Sequence, residues 1–178
     1  MSTTIPDPIP VVICGKTEAV ATRVIESLKP EIEGFPLLPP LLPLFHPSLT
    51  LLFFSPSTVI HLVLTPAAGI TQIPRLLSGS KDVESASALG THNYAHPPVA
   101  IICGAGYTDD DIEEMRAAVD RASVGAQAPW MRPDVVKSGD VHAGMPGYGP
   151  MLARRLKETL ATMKDDGRLG REGGVVWY

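Results

Sequence analysis

The sequence has little of what several function classes require. It contains only two cysteines in 178 residues, which excludes a small secreted fold held together by several disulfides. Its 15 lysines and arginines are outnumbered by 19 acidic residues, for a net charge of -4, so it lacks the basic face of a nucleic-acid binder. Residues 1–10 carry neither the basic nor the apolar region of a secretory signal. We therefore expect a soluble, cytoplasmic protein without a nucleic-acid partner.

Several catalytic motifs are also missing. The sequence has no Walker phosphate-binding loop, no Gly-x-Ser-x-Gly elbow and no Tyr-x-x-x-Lys pair typical of short-chain reductases. No histidine, cysteine or carboxylate spacing typical of a metal site occurs either. The missing Tyr-x-x-x-Lys pair disfavours ordinary reductase chemistry, and we expect no bound metal.

One apolar segment, at about residues 34–58, consists almost only of Leu, Pro, Phe, Ser and Thr. It approaches the length of a membrane span, but its repeated prolines would break a spanning helix, so we expect no membrane insertion. A proline-rich ligand for aromatic grooves is a second interpretation. We favour a third interpretation, a translated intron. Pyrimidine-rich codons encode these residues, and introns carry a pyrimidine tract before the acceptor site. Removing the segment would join Glu33 directly to Val59, and sequencing of the spliced transcript tests this hypothesis.

The most informative feature that is present is a repeated tripeptide, Ile-Cys-Gly. It ends two apolar runs, one at Cys14-Gly15 and the other at Cys103-Gly104, and each run precedes a predicted helix. Buried parallel strands are continuous apolar runs of this kind, and glycine suits the tight turn into a helix. Two such units predict an α/β sheet whose strand ends share one edge, where ligands of open α/β proteins bind.

Strand and helix patterns alternate along the whole chain. Apolar side chains four apart at Val20, Val24 and Leu28 predict the buried stripe of the first helix, and Thr108 with Asp111 predicts a capping box. We therefore expect one α/β domain over residues 1–178, interrupted at 34–58. It is a small Rossmann-like three-layer sandwich with a mostly parallel sheet of four to five strands. The predicted strands cover residues 10–15, 59–65 and 98–104, with a short extended segment within 128–136 and a terminal strand or docked tail at 173–178. The predicted helices cover 16–28, 66–77, 108–122 and 150–167.

The turn after the first strand occupies the position of a dinucleotide-binding fingerprint. Gly15, Lys16 and Thr17 would hold a phosphate there, with residues 104–106 (Gly104, Ala105 and Gly106) as the opposite wall. The fingerprint needs three glycines and an acidic residue after the second strand, but only Gly15 is present and that strand ends at Thr65. The leading hypothesis is thus a protein that binds a nucleotide or dinucleotide, or another small molecule, at the strand ends, with NAD(P) as the candidate cofactor. A plain structural turn is the alternative.

A second candidate element is the loop between Pro129 and Asp134. Trp130 would stack on a ligand ring and Arg132 would bind an anion. The same residues also fit structural roles, with Trp130 filling the core and Arg132 pairing with Asp134.

The second Ile-Cys-Gly turn offers an alternative function. Cys103 at a strand-to-helix elbow could act as a nucleophile, because a helix N-terminus lowers the pKa of a thiol, and His142 or His92, each on a loop, could supply the base. Cys103 also fits the role of a small buried core residue. A third hypothesis is a non-catalytic interaction protein whose site has degenerated.

Motifs along the chain resemble those of a family of small, uncharacterised proteins of filamentous fungi described as Rossmann-like or NAD(P)-binding. The resemblance implies this fold and lineage but no secure activity. It covers nearly the whole chain except about residues 34–58. The motifs lie at Val12–Gly15, Leu28–Glu31, Thr65–Gly69, Ile73–Leu77, Pro97–Ala100, Pro129–Asp134 and Val175–Tyr178.

Overall fold

Strands and helices alternate through the computed structural model, which describes residues 8–28, 57–139, 141, 145 and 147–178. Within these ranges there are five strands and four α-helices. The strands are Ile9–Cys14 (β1), Ser57–Val63 (β2), Ala100–Cys103 (β3), Trp130–Arg132 (β4) and Val175–Trp177 (β5). The helices are Glu18–Leu28 (α1), Pro66–Leu77 (α2), Asp109–Arg121 (α3) and Tyr148–Asp165 (α4), with a short 3-10 turn at Val136–Ser138.

The five strands form one parallel sheet in the order β2-β1-β3-β4-β5. Helices α1 and α4 cover one face and contribute Leu28 and Leu156 to its core. Helices α2 and α3 cover the other face with Ile73 and Met115. This arrangement confirms the predicted three-layer α/β fold with a parallel sheet. It is a doubly wound order, in which the topological switch point lies between β1 and β3.

Strand β1 lies inside the sheet and both of its faces are covered. All six of its residues are buried; Val11 faces the core under α1 and α4, and Val12 faces the core under α2 and α3. A strand with two buried faces needs a continuous apolar run rather than alternation, which is the pattern from which it was predicted.

The buried stripe of α1 differs from the prediction. Val20 is 60% exposed, while Ala21 and Leu28 are buried and Val24 and Ile25 are partly buried. The stripe therefore starts one residue later than expected. Val24 and Leu28 lie on the buried side as predicted. Positions one apart on a helix differ by about 100°, so a small change in how the chain enters the helix buries Ala21 instead of Val20.

The second strand begins at Ser57, two residues before the predicted start, and Ser57 and Thr58 pair with Ile9 and Pro10 of β1. These two residues had been assigned to the apolar segment. The rest of that segment, residues 34–56, lies outside the described residues, so the translated-intron interpretation stays a prediction. No helix in the described ranges is long and apolar enough to cross a membrane.

Capping residues set the starts of the two helices on the α2/α3 face. The Thr65 hydroxyl accepts from the Ala68 amide at the start of α2. The predicted capping box of α3 is confirmed: the Asp111 amide donates to the Thr108 hydroxyl, and the Thr108 amide donates to the Asp111 carboxylate. The first turn of α3 is thereby fixed beside the carboxyl ends of the strands.

Candidate functional site

Two glycine turns meet at the carboxyl ends of β1 and β3. Cys14 and Cys103 are paired in register, so the turns that follow them start at the same level of the sheet. The Gly104 amide donates to the Cys14 carbonyl at 2.9 Å, and a Cβ at Gly104 would lie 3.3 Å from that oxygen. The second turn can approach β1 this closely because residue 104 has no side chain.

The Val63 carbonyl, at the end of β2, holds both turns in place. It accepts from the Gly15 amide at 2.9 Å and from the Tyr107 hydroxyl at 3.0 Å. Tyr107 is 2% exposed, and burial is the main reason why its pKa is raised. The tyrosine thus links the turn after β3 to β2, across β1. Sequence reasoning missed this residue, and the only signal was an aromatic side chain directly after Gly-Ala-Gly.

Lys16 extends from the first turn across the second. Its Cδ lies 3.6 Å from the position that a Cβ on Gly106 would take, and its Nζ is 5.4 Å from the centre of the Tyr107 ring. The Nζ also lies 3.4 Å from Asp111 Oδ2 in α3. The pKa of Asp111 is lowered mainly by the Thr108 amide, with smaller contributions from the Thr108 hydroxyl and from Lys16. The structure therefore brings Lys16 together with the predicted opposite wall.

The remaining residues of the predicted phosphate site belong to the same two turns. The Thr17 carbonyl accepts from the Ala21 amide at 3.1 Å, the first α-helical bond of α1. Ala105 and Gly106 are exposed, and Gly104 is partly exposed, in a turn closed by a bond from the Tyr107 amide to the Gly104 carbonyl. The six candidate residues of the two turns thus directly follow the neighbouring strands β1 and β3 at the switch point.

Arg132 approaches the first turn of α3 from the opposite side. It donates to Asp109 Oδ1, and its guanidinium carbon lies 4.6 Å from the centre of the Trp177 ring. The expected pair with Asp134 is wrong, because Asp134 instead bonds the amides of Val136 and Lys137 and pairs with the Lys137 ammonium. Arg132 lies beside Trp177 of β5 at the end of β4, and its guanidinium reaches the start of α3 instead of the loop that follows β4.

Trp130 lies apart from the two turns. It is 4% exposed at the start of β4 and belongs to the core under α2 and α3. Its ring also lines a cleft of about 350 Å³ together with Asp120, Gln127 and Gly173. These residues end α3 or precede β4 and β5, so the cleft lies at the amino edge of the sheet. The tryptophan at the carboxyl edge is Trp177, which sequence reasoning did not single out.

The two cysteines are core residues. Both are completely buried and lie side by side on neighbouring strands. The adjacent Cys103 thiol, followed by burial, raises the pKa of Cys14 well above its ordinary value. Cys103 ends β3, whereas α3 begins only at Asp109, so Cys103 is not at the helix N-terminus. These positions disfavour a thiolate nucleophile, and the candidate base His142 lies outside the described residues.

A buried histidine in the described part of the chain lies away from the two cysteines. His61 in β2 is completely buried, with Nδ1 2.7 Å from the Tyr94 hydroxyl and Nε2 3.1 Å from Gln72 Oε1. Within the ranges that the structure describes, no group of three or more His, Cys, Asp or Glu side chains is arranged to hold a metal ion.

Comparison with known proteins places the chain in a fungal family. Neither a family model nor a solved structure matches it significantly. A relative from Aspergillus oryzae (strain ATCC 42149 / RIB 40), named Kojic acid related protein 6, is 30% identical over 167 residues, which is 94% of this chain and 85% of the relative. The chain belongs to this family. The relative confirms the expectation of a fungal protein family, and its name states a relation to kojic acid but no reaction.

Proposed function

We propose that this member of the Kojic acid related protein 6 family binds a nucleotide at the switch point, through the phosphate. Gly15, Lys16 and Thr17 would contact the phosphate from one side, and residues 104–106 would form the opposite wall. One observation carries the proposal: the Val63 carbonyl holds two glycine turns together, and Lys16 lies across the second of them.

The start of α1 and the Lys16 ammonium favour an anionic group. The first amides of α1 have no acceptor within the helix, and the helix dipole favours negative charge at this end. Glu18, the acidic residue in the first turn of α1, accepts a hydrogen bond from the Ser87 hydroxyl in the loop before β3. The Lys16 side chain is 47% exposed and therefore accessible.

A phosphate would replace Asp111 as the partner of Lys16. The Lys16–Asp111 pair is 3.4 Å long and partly exposed. Exposed ion pairs of this kind contribute only about 0–1 kcal/mol to stability, so the exchange costs little. Thr108 would keep Asp111 ionised and in place after the lysine moves, because its amide and hydroxyl bond the same residue.

The size of the sheet favours a mononucleotide over a dinucleotide. Dinucleotide-binding folds combine two mononucleotide-binding halves, whereas the described sheet has five strands and a single switch point. Thr65, where a ribose-binding acid would be expected, is instead the N-cap of α2. NAD(P) remains the candidate that the first turn suggests, and a mononucleotide such as AMP or FMN fits the described residues better.

A ligand titration tests the proposal. The purified chain would be titrated with AMP, FMN, NADPH and kojic acid, the last because of the relative's name. The heat of binding and the melting temperature of the protein would both be measured. A ligand that binds only the native state at 100 times its Kd adds about 2.7 kcal/mol of stability. We expect AMP or FMN to raise the melting temperature, and Lys16→Ala to weaken their binding about tenfold, about 1.4 kcal/mol.

Lys137→Ala is the matched control. Lys137 also pairs with an aspartate at 3.4 Å, and both aspartates have side chains that are 23% exposed, so both variants lose the same kind of ion pair. Binding by Lys137→Ala should stay within twofold of the wild type. Equal binding by Lys16→Ala and the wild type would contradict the proposed site. No stabilisation by any nucleotide would contradict nucleotide binding and favour a non-catalytic interaction protein.

A further inference from the structure

The last strand places an exposed tryptophan at the same edge of the sheet as the two turns. Trp177 is 51% exposed, although Arg132 lies over one face of its ring. Arg132 and Trp177 are paired in register across β4 and β5, so both side chains leave the sheet on the same side. This is the side of α3, because Arg132 also binds Asp109 in the first turn of that helix.

Two cations thus flank the first turn of α3, and each is in contact with an aromatic ring. Lys16 reaches Asp111 from the β1 side and lies near Tyr107, while Arg132 reaches Asp109 from the β4 side and lies on Trp177. The two aromatic rings differ in one respect. Tyr107 is buried and bonded to Val63, whereas half of the Trp177 surface is exposed.

The spacing of the strands brings Trp177 within reach of a ligand at the turns. Strand β5 is two strand spacings from β3 and three from β1, roughly 10 and 14 Å, along the same edge. The Lys16 side chain crosses to Gly106 in the turn after β3, so a ligand whose phosphate lies there would extend from the β3 side past the first turn of α3 toward Trp177. Arg132 is held between Trp177 and Asp109 and only 16% of its side chain is exposed, so it keeps the indole in place.

We propose that Trp177 is the ring-binding residue of the site and stacks on the base of the bound nucleotide. The inference rests on the proposed function and deepens it: the ligand class is a phosphate that carries an aromatic ring, not a sugar phosphate alone. Stacking of a base on an aromatic side chain is a strong contact, and any base can make it because every base has a π face.

Two ligands that differ only in the base test this inference. AMP and ribose 5-phosphate share the phosphate and the ribose, so calorimetric titration of the wild type isolates the contribution of the ring. We expect AMP to bind about tenfold more tightly than ribose 5-phosphate. Trp177→Leu should remove this preference by weakening AMP alone, and Trp177→Phe, which keeps an aromatic face, should retain most of it.

The emission of the two tryptophans gives an independent readout. Trp130 is 4% exposed at the other edge of the sheet, so AMP should change the emission of Trp130→Phe as it does that of the wild type. Equal binding of AMP and ribose 5-phosphate by the wild type, or an unchanged preference in Trp177→Leu, would overturn the stacking role and leave the phosphate site standing. Failure of both ligands to bind the wild type would overturn the proposed function and the stacking role together.

Discussion

At the scale of single residues, His61 shows how a polar group is accommodated in the core of β2. The Gln72 amide nitrogen donates to the Glu84 carbonyl at 2.8 Å, so Gln72 Oε1 is left to accept from His61 Nε2. His61 Nδ1 then accepts from the Tyr94 hydroxyl. This assignment, made from the hydrogen-bond network, gives a neutral histidine. The network joins β2, α2 and the loop before β3.

The neutral state of His61 predicts a pH dependence of stability. Burial lowers the pKa of His61; the bond to Gln72 opposes this shift, and the charge of His92 adds a smaller contribution in the lowering direction. The unfolded chain therefore binds more protons below the ordinary histidine pKa of about 6.5, and stability falls as the pH drops from there toward the folded pKa. Urea unfolding at pH 7.5 and 5.5 measures this loss, which His61→Gln should reduce.

His96→Gln is the control for this prediction, because His96 is exposed in the loop before β3 that also carries Tyr94. This variant should lose as much stability between the two pH values as the wild type does. If His61→Gln also loses the wild-type amount, another group accounts for the pH dependence.

The sequence predicts which residues lie at the strand ends, but it does not predict which side chains they contact. Gly15, Lys16 and Gly104 follow continuous apolar runs, so the sequence pattern alone locates them at the carboxyl edge. Lys16 and Asp111 are 95 positions apart, and their contact depends on β1 lying next to β3. The pairing of Arg132 with Trp177 depends in the same way on β5 lying beside β4.

At the scale of elements, Gly69 sets the distance between α2 and α3. A Cβ at this position would lie 2.2 Å from the sulfur of Met115, which is completely buried in α3. The two helices cover the same face of the sheet and pack against each other here. The close approach is one reason why the first turn of α3 stays near the strand ends.

Gly69→Ala should therefore destabilise the fold. Overpacking a core costs about 1–3 kcal/mol, which exceeds or offsets the gain of at most about 1 kcal/mol from alanine in a helix. We expect a lower urea midpoint with an unchanged slope. Gly125→Ala is the control, since nothing lies within 4 Å of its added Cβ and it should leave the midpoint nearly unchanged. A Gly69→Ala midpoint at or above that of the control would contradict the close packing.

The sequence predicts the order of strands and helices, but it predicts only in part which face of each helix is buried. Thr108 with Asp111 marks the start of α3 locally, so the capping box follows from the sequence. The buried stripe of α1 does not follow from the sequence in the same way. Val20 and Ala21 are both apolar, and only the entry of the helix onto the sheet decides which of them is buried. That entry depends on how α1 packs against α4 and β2, which are distant from it in the sequence.

At the scale of the whole molecule, the two edges of the sheet offer different kinds of surface. The carboxyl edge has two glycine turns and two cations around the start of α3. The amino edge has the cleft of about 350 Å³ beside Trp130. Alternating strands and helices with right-handed crossovers predict the three layers. They do not predict the strand order, and it is the strand order that assigns the switch point to the carboxyl edge between β1 and β3.

The most direct test of the account is an amide chemical-shift map of the wild-type chain during titration with AMP. We predict that the largest shifts fall on residues 15–17 and 104–106, together with the Trp177 indole. Shifts that fall instead on the cleft at the amino edge, around Val124 and Gln127, would contradict the account, as would a spectrum that AMP leaves unchanged.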